Sequence, residues 1–109
     1  INKMEKPKKI YLSLPISGYD IDERRETALA MEVRLRGAGY DVFNPTENGL
    51  PPTATTNEHM KRDLEALLTC DAIFLMRGWN RSAGCKCELD VAVAIGIDVM
   101  FEEQVNIQL

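Results

Sequence analysis

Apolar and polar positions along this chain switch repeatedly between a period of about two and a period of about 3.6. Ile10-Tyr11-Leu12-Ser13-Leu14 is a β-favourable run with too little polarity to face water, which predicts a central strand. Pro15-Ile16-Ser17-Gly18-Tyr19-Asp20 reads as a turn-rich loop ending in a helix N-cap. From Ile21 the apolar positions Ala28, Met31, Leu35 and Ala38 recur at helical spacing, and Gly37 and Gly39 end that helix. Tyr40-Asp41-Val42-Phe43-Asn44 gives a second short strand, stopped by Pro45. Residues 45–54, with three prolines and Gly49, form a long loop.

Thr55-x-x-Glu58 is a capping box, and Met60, Leu64, Leu67 and Leu68 trace the apolar stripe of the helix behind it. A third strand is predicted over 71–76 from the run Ala72-Ile73-Phe74-Leu75-Met76. The turn Arg77-Gly78-Trp79-Asn80 leads from it to a helix that opens at Ser82 and runs to Ile95. Asp98-Val99-Met100-Phe101 is a fourth strand, and Val105 to Ile107 adds a fifth or docks on a partner. Residues 1–8 read as a polar lead-in and 102–109 as a tail around a core of about 9–101. Strands alternating with helices over short connections predict a single α/β domain, a doubly wound parallel sheet of four to five strands with right-handed crossovers.

Composition narrows the partners. With 109 residues, 45% of them hydrophobic and 28% charged, the chain is an ordinary globular length and mixture. A net charge of −4 argues against a nucleic-acid polymer or an anionic membrane surface as the main partner. A small anion is still allowed, because a few backbone N–H groups can hold it locally. No apolar run approaches a membrane span and no signal-peptide pattern opens the chain, so a cytoplasmic setting is expected. The three cysteines, Cys70, Cys85 and Cys87, are expected to be reduced and buried as small hydrophobes. Cys85-x-Cys87 lacks the two-residue gap of a zinc or redox pair and His59 is the only histidine, so neither a metal nor another cofactor is expected.

In a sheet of this kind, ligands bind where the loops after the strands share one edge. That edge collects Tyr11 to Gly18, Asn44 to Pro52 and Gly78 to Glu88. Ser82 suits an N-cap, Gly84 allows close approach of a ligand or backbone, and Glu88 shares a helical face with Gly84 and Cys85. Glu88 is then either a carboxylate beside an open space or an exposed helix residue next to Lys86. Asp63, with Met60 and Leu67 on the core side, sits at the border of its helix's buried stripe. It either reaches solvent or points into the pocket. Trp79 either stacks on a ligand or packs against the helix behind it. Asp71 anchors its loop by accepting backbone N–H bonds, and Arg81 and Lys86 are solvated charges or attract a phosphate. Two carboxylates, a tyrosine and a Gly/Ser-rich loop suit substitution at an anomeric carbon.

Four stretches in order carry a resemblance. They are Ile10-Tyr11-Leu12-Ser13-Leu14-Pro15-Ile16-Ser17-Gly18, Gly39-Tyr40-Asp41-Val42-Phe43-Asn44-Pro45, Asp63-Leu64 with Cys70-Asp71-Ala72-Ile73, and Gly78-Trp79-x-x-Ser82-x-Gly84-x-x-x-Glu88. Together they resemble the nucleoside 2-deoxyribosyltransferase superfamily, closest to its uncharacterised, often phage-borne branch, and are similar to 2′-deoxynucleoside 5′-monophosphate N-glycosidases. The resemblance implies a flavodoxin-like sheet and cleavage of the N-glycosidic bond of a 2′-deoxynucleoside or its 5′-monophosphate. Glu88 would be the nucleophile, forming a glycosyl ester at C1′, Tyr11 would hold that carboxylate, and Asp63 would serve the leaving base. Ser13, Pro15, Ser17, Gly18, Trp79, Ser82 and Gly84 would surround the substrate.

Ser at position 82, where transferases of free nucleosides carry Asp, points to a 5′-monophosphate with water as acceptor, since a carboxylate would repel the phosphate. Base exchange, or nucleotide binding without turnover, are the alternatives. A homodimer or higher homo-oligomer is expected, because resembling enzymes often complete their pocket from a neighbouring subunit.

Overall fold

A computed structural model describes residues 8–104, and its sheet holds four parallel strands in the order β2-β1-β3-β4. β1 is Lys9–Ser13, β2 Asp41–Phe43, β3 Ala72–Leu75 and β4 Asp98–Phe101. β1 and β3 lie in the middle, with Tyr11 opposite both Phe43 and Ile73 and Ser13 opposite Leu75. Their residues are buried almost throughout because both faces of the sheet are covered, which is why these segments read as continuous apolar runs. The single α/β domain with a flavodoxin-like parallel sheet is as the sequence implies. The segment 105–107, read above as a possible fifth strand, lies outside the described residues.

The two faces carry different helices. α1 (Ile21–Gly37) covers the face to which Ile10, Leu12 and Leu14 point, with Ala28, Met31 and Leu35 packed onto them. α2 (Thr56–Leu67) and α3 (Ala83–Ile95) cover the other, where Tyr11, Ile73 and Leu75 meet Ala66, Leu67, Cys85 and Ala92. This follows from the strand order. The β1-to-β2 connection steps one way along the sheet and the β2-to-β3 connection steps back across β1, so crossovers of one hand put α1 and α2 on opposite faces. Between the C-terminal ends of β1 and β3 the chain therefore leaves in opposite directions, and a crevice opens there.

The caps form as the side chains dictate. Asp20 accepts from the Asp22 N–H at 2.9 Å, and Thr55 and Glu58 make their reciprocal capping box at 3.1 and 2.8 Å. Asp71 accepts from the Lys9 N–H at 2.9 Å, the loop anchor expected of it. Three positions depart from expectation. Ala38 and Leu68 are exposed because each falls at the C-cap, beyond the last full turn of its helix. Cys87 is exposed while Cys70 and Cys85 are buried, because two residues along α3 turn the side chain by roughly 200° to the outer face.

Candidate active site

Alternation along β1 places Tyr11 and Ser13 on the α3 side of the sheet, two residues apart and pointing the same way. α3 presents Glu88 to both. The Tyr11 hydroxyl donates to Glu88 Oε2 at 2.7 Å, and Ser13 Oγ donates to Oε1 at 2.7 Å. Tyr11 and Ser13 are fully buried and Glu88 is 8% exposed. The Tyr11 ring is fixed in turn, stacked on Phe43 at 5.4 Å, with the Arg62 guanidinium over the Phe43 ring at 5.2 Å.

This carboxylate is under tension between burial and hydrogen bonding. Loss of water pushes Glu88 up to about 7, the two hydroxyl donors pull it down, and the charge of Asp63 adds to the rise. Burial also drives Tyr11 far above the ordinary phenol value, aided by the negative charge of Glu88, so its hydrogen stays in place as a donor. Each Glu88 oxygen accepts one hydroxyl, which leaves lone pairs to act elsewhere.

Asp63 projects from α2 and is half-buried. Burial raises its carboxyl above the ordinary value, against the pull of the Asn48 amide and the Arg62 charge. Asn48 Nδ2 donates to Asp63 Oδ1 at 2.9 Å and lies 3.0 Å from His59 Nδ1. Asn48 itself is held by the Leu50 N–H, which donates to its Oδ1 at 3.1 Å.

Glu88 and Asp63 share the wall of an open cavity of about 710 Å³ at the sheet's C-terminal edge. That volume falls within the range of small-molecule sites. The loop after β1, the start of α1, the 45–52 loop, the half-buried edge of α2 and the first turns of α3 line it. Among the described residues no group of three or more His, Cys, Asp or Glu gathers as metal donors, and no helix is long and apolar enough to cross a membrane.

The family described as a domain of unknown function, DUF4406, matches residues 8–101. The chain belongs to that family. No curated protein matches it in sequence. Among solved structures it is similar to the CMP N-glycosidase BcmB of Clostridium botulinum, with a TM-score of 0.61 and 19% identity over 90% of this chain and 75% of that one. A likeness at that identity shows a common fold.

In this DUF4406 chain the residues singled out from sequence are distributed unevenly about the cavity. Glu88, Asp63, Pro15, Ser17, Ser82 and Gly84 line it, and Tyr11 and Ser13 stand directly behind Glu88. The reading of Glu88 as an exposed helix residue is set aside by its burial. Ser82 caps α3, its Oγ accepting from the Cys85 N–H at 3.2 Å, and also faces the cavity. Gly18 and Trp79 do not line it. Gly18 is exposed in a left-handed turn at φ 85°. Trp79 is half-buried and packs at 5.3 Å from the Phe101 ring, the packing contact that was one of its two readings. Asn48 and His59 were not singled out from sequence. The one available signal was their spacing: His59 lies one turn before Asp63 on α2, and Asn48 sits in the facing loop.

Proposed function

We propose that this chain cleaves the N-glycosidic bond of a nucleoside 5′-monophosphate, of the 2′-deoxy series by the sequence resemblance, with Glu88 as nucleophile. The observation that supports this most is the buried Glu88 carboxylate, each oxygen accepting one hydroxyl at 2.7 Å, at the wall of a cavity it shares with Asp63. The name of the similar fold, a CMP N-glycosidase, agrees with this class of reaction.

Glu88, ionised, attacks C1′ of the sugar. The C1′–N bond breaks with its electron pair going to the base, and Asp63 supplies the proton the base needs to leave. The glycosyl ester on Glu88 then reacts with water at C1′. Asp63, now a carboxylate, takes the water's proton, and Glu88 is released with the sugar 5-phosphate. Tyr11 and Ser13 hold the Glu88 carboxylate in place and favour its ionised form through the first step. Burial raises both carboxyls above their ordinary values, and the reaction needs the proton on Asp63 and not on Glu88, the distribution that the Tyr11 and Ser13 hydrogen bonds to Glu88 favour.

The phosphate is proposed to lie at the start of α3. Ser82, Ala83 and Gly84 line the cavity there, where unpaired backbone N–H groups and the helix dipole favour an anion, and Ser17, Arg25 and Arg81 share the lining. The test is kcat/KM for the four common deoxynucleosides, their 5′-monophosphates and CMP, read as free base released. Preference for monophosphates with water as acceptor is the expected result. Preference for unphosphorylated nucleosides with faster base exchange would favour transfer. Ligand-induced melting shifts with no base release would leave a binding module.

A further inference from the structure

Asn48 is 6% exposed, and both ends of its amide have protein partners. The backbone N–H of Leu50 is an obligatory donor and lies 3.1 Å from Oδ1, which fixes which end of the amide is oxygen. The other end, Nδ2, then directs its two hydrogens at Asp63 Oδ1 (2.9 Å) and His59 Nδ1 (3.0 Å). A flipped amide would set oxygen against a carboxylate and N–H against N–H. His59 Nδ1 must therefore accept, and the ring's hydrogen sits on Nε2. His59 lines the same cavity as Asp63, one helical turn away. With Nδ1 occupied, Nε2–H is the ring's remaining polar group for a ligand.

We infer that His59 is a specificity-determining residue whose Nε2–H donates to the leaving base beside the proton delivered by Asp63, and that Asn48 is the positioning residue that sets both. This rests on the proposed glycosidase reading, in which Asp63 faces the base. Two donors side by side suit a base edge with two neighbouring acceptors. Guanine and hypoxanthine offer O6 and N7, and cytosine offers O2 and N3, whereas adenine sets an amino group beside N7 and thymine an N–H beside O2. The substrate class is therefore nucleotides of guanine, hypoxanthine or cytosine in preference to adenine or thymine. A site with a fixed donor discriminates strongly, because the wrong base leaves that donor facing another donor.

The sole histidine makes the first arm of the test unambiguous. Two-bond ¹H–¹⁵N correlation spectra of the whole ¹⁵N-labelled chain should show the Nε2–H tautomer, giving way to a mixture in a folded Asn48→Ala variant. The Nδ1–H tautomer in wild type would overturn the inference. The second arm compares kcat/KM for guanine against adenine nucleotides in wild type, His59→Gln and His59→Phe. Wild type should favour guanine by roughly tenfold to a hundredfold. His59→Gln, whose amide can replace Nε2–H, should keep much of that ratio, and His59→Phe should bring it close to one. An unchanged ratio in His59→Phe would overturn the inference and leave the glycosidase reading standing. No release of any base by wild type would overturn the glycosidase reading, and the base contact with it.

Discussion

The Tyr11 hydroxyl donates to Glu88 Oε2 across 2.7 Å, joining the first strand to the last helix between two side chains almost wholly out of water. A donor to a buried carboxylate stabilises its ionised form, so its loss must push Glu88 above about 7. Tyr11→Phe is therefore expected to lower kcat/KM by roughly tenfold to a hundredfold near neutral pH. The acidic limb of the pH–rate profile should move to higher pH. Ser13→Ala should do the same through Oε1. A reduced rate with an unmoved limb would make these residues packing groups only.

The same carboxylate costs stability. Glu88 stands at about 7 folded against an ordinary 4.5, so the folded state binds its proton more tightly than the unfolded chain does. That advantage is fully present below 4.5 and is lost as pH rises through 7, on the order of 3 kcal/mol by about pH 8. Glu88→Gln keeps the shape without the charge. Its stability relative to wild type, from urea melts, should rise by about that much between roughly pH 4 and pH 8. A difference flat with pH would contradict the burial argument.

Asp63→Asn should still bind nucleotide but release base about a hundredfold more slowly, the usual scale for a lost general acid. A nitrophenyl deoxyriboside 5-phosphate, whose leaving group needs no proton, should suffer much less. The basic limb of the pH–rate profile should vanish. Equal losses for good and poor leaving groups would remove Asp63 from proton transfer.

Much of this was legible in the chain. The two hydrophobic periods specify the strands, the helices and their order, and strand alternation alone puts Tyr11 and Ser13 on one face. Gly84 and Cys85 beside Glu88 signalled an open helical face. Asn48 was not legible, because the prolines and the short 3₁₀ turn Pro45–Glu47 set its path, and neither has a period. Its partners lie on α2, 11 and 15 residues away. The ring that Trp79 packs against was not legible either. The partner it takes, Phe101, belongs to β4, well separated in sequence.

Two glycines should respond in opposite ways. Gly78 has φ 91°, and a Cβ there would come 3.3 Å from Pro15 Cγ, so Gly78→Ala should destabilise by about 1 kcal/mol or more. At Gly84 a Cβ would meet only ordinary contacts at 3.9 Å, to Met60 Cε and Ser82 Oγ. Gly84→Ala should leave the melting temperature unchanged or raised, as helix propensity favours. Because the methyl would enter the cavity, kcat/KM should nevertheless fall. Full activity in a stable Gly84→Ala variant would mean that substrate does not approach this turn.

The central claim is that Glu88 bonds covalently to the sugar. Intact-mass spectrometry after rapid acid quench, with a 2-fluorinated sugar nucleotide to slow the second step, reads it directly. The expected result is wild-type protein gaining the mass of one sugar phosphate, localised to Glu88 by peptide fragmentation and absent from Glu88→Gln. Base release by Glu88→Gln at the wild-type rate, or an adduct on another residue, would contradict it.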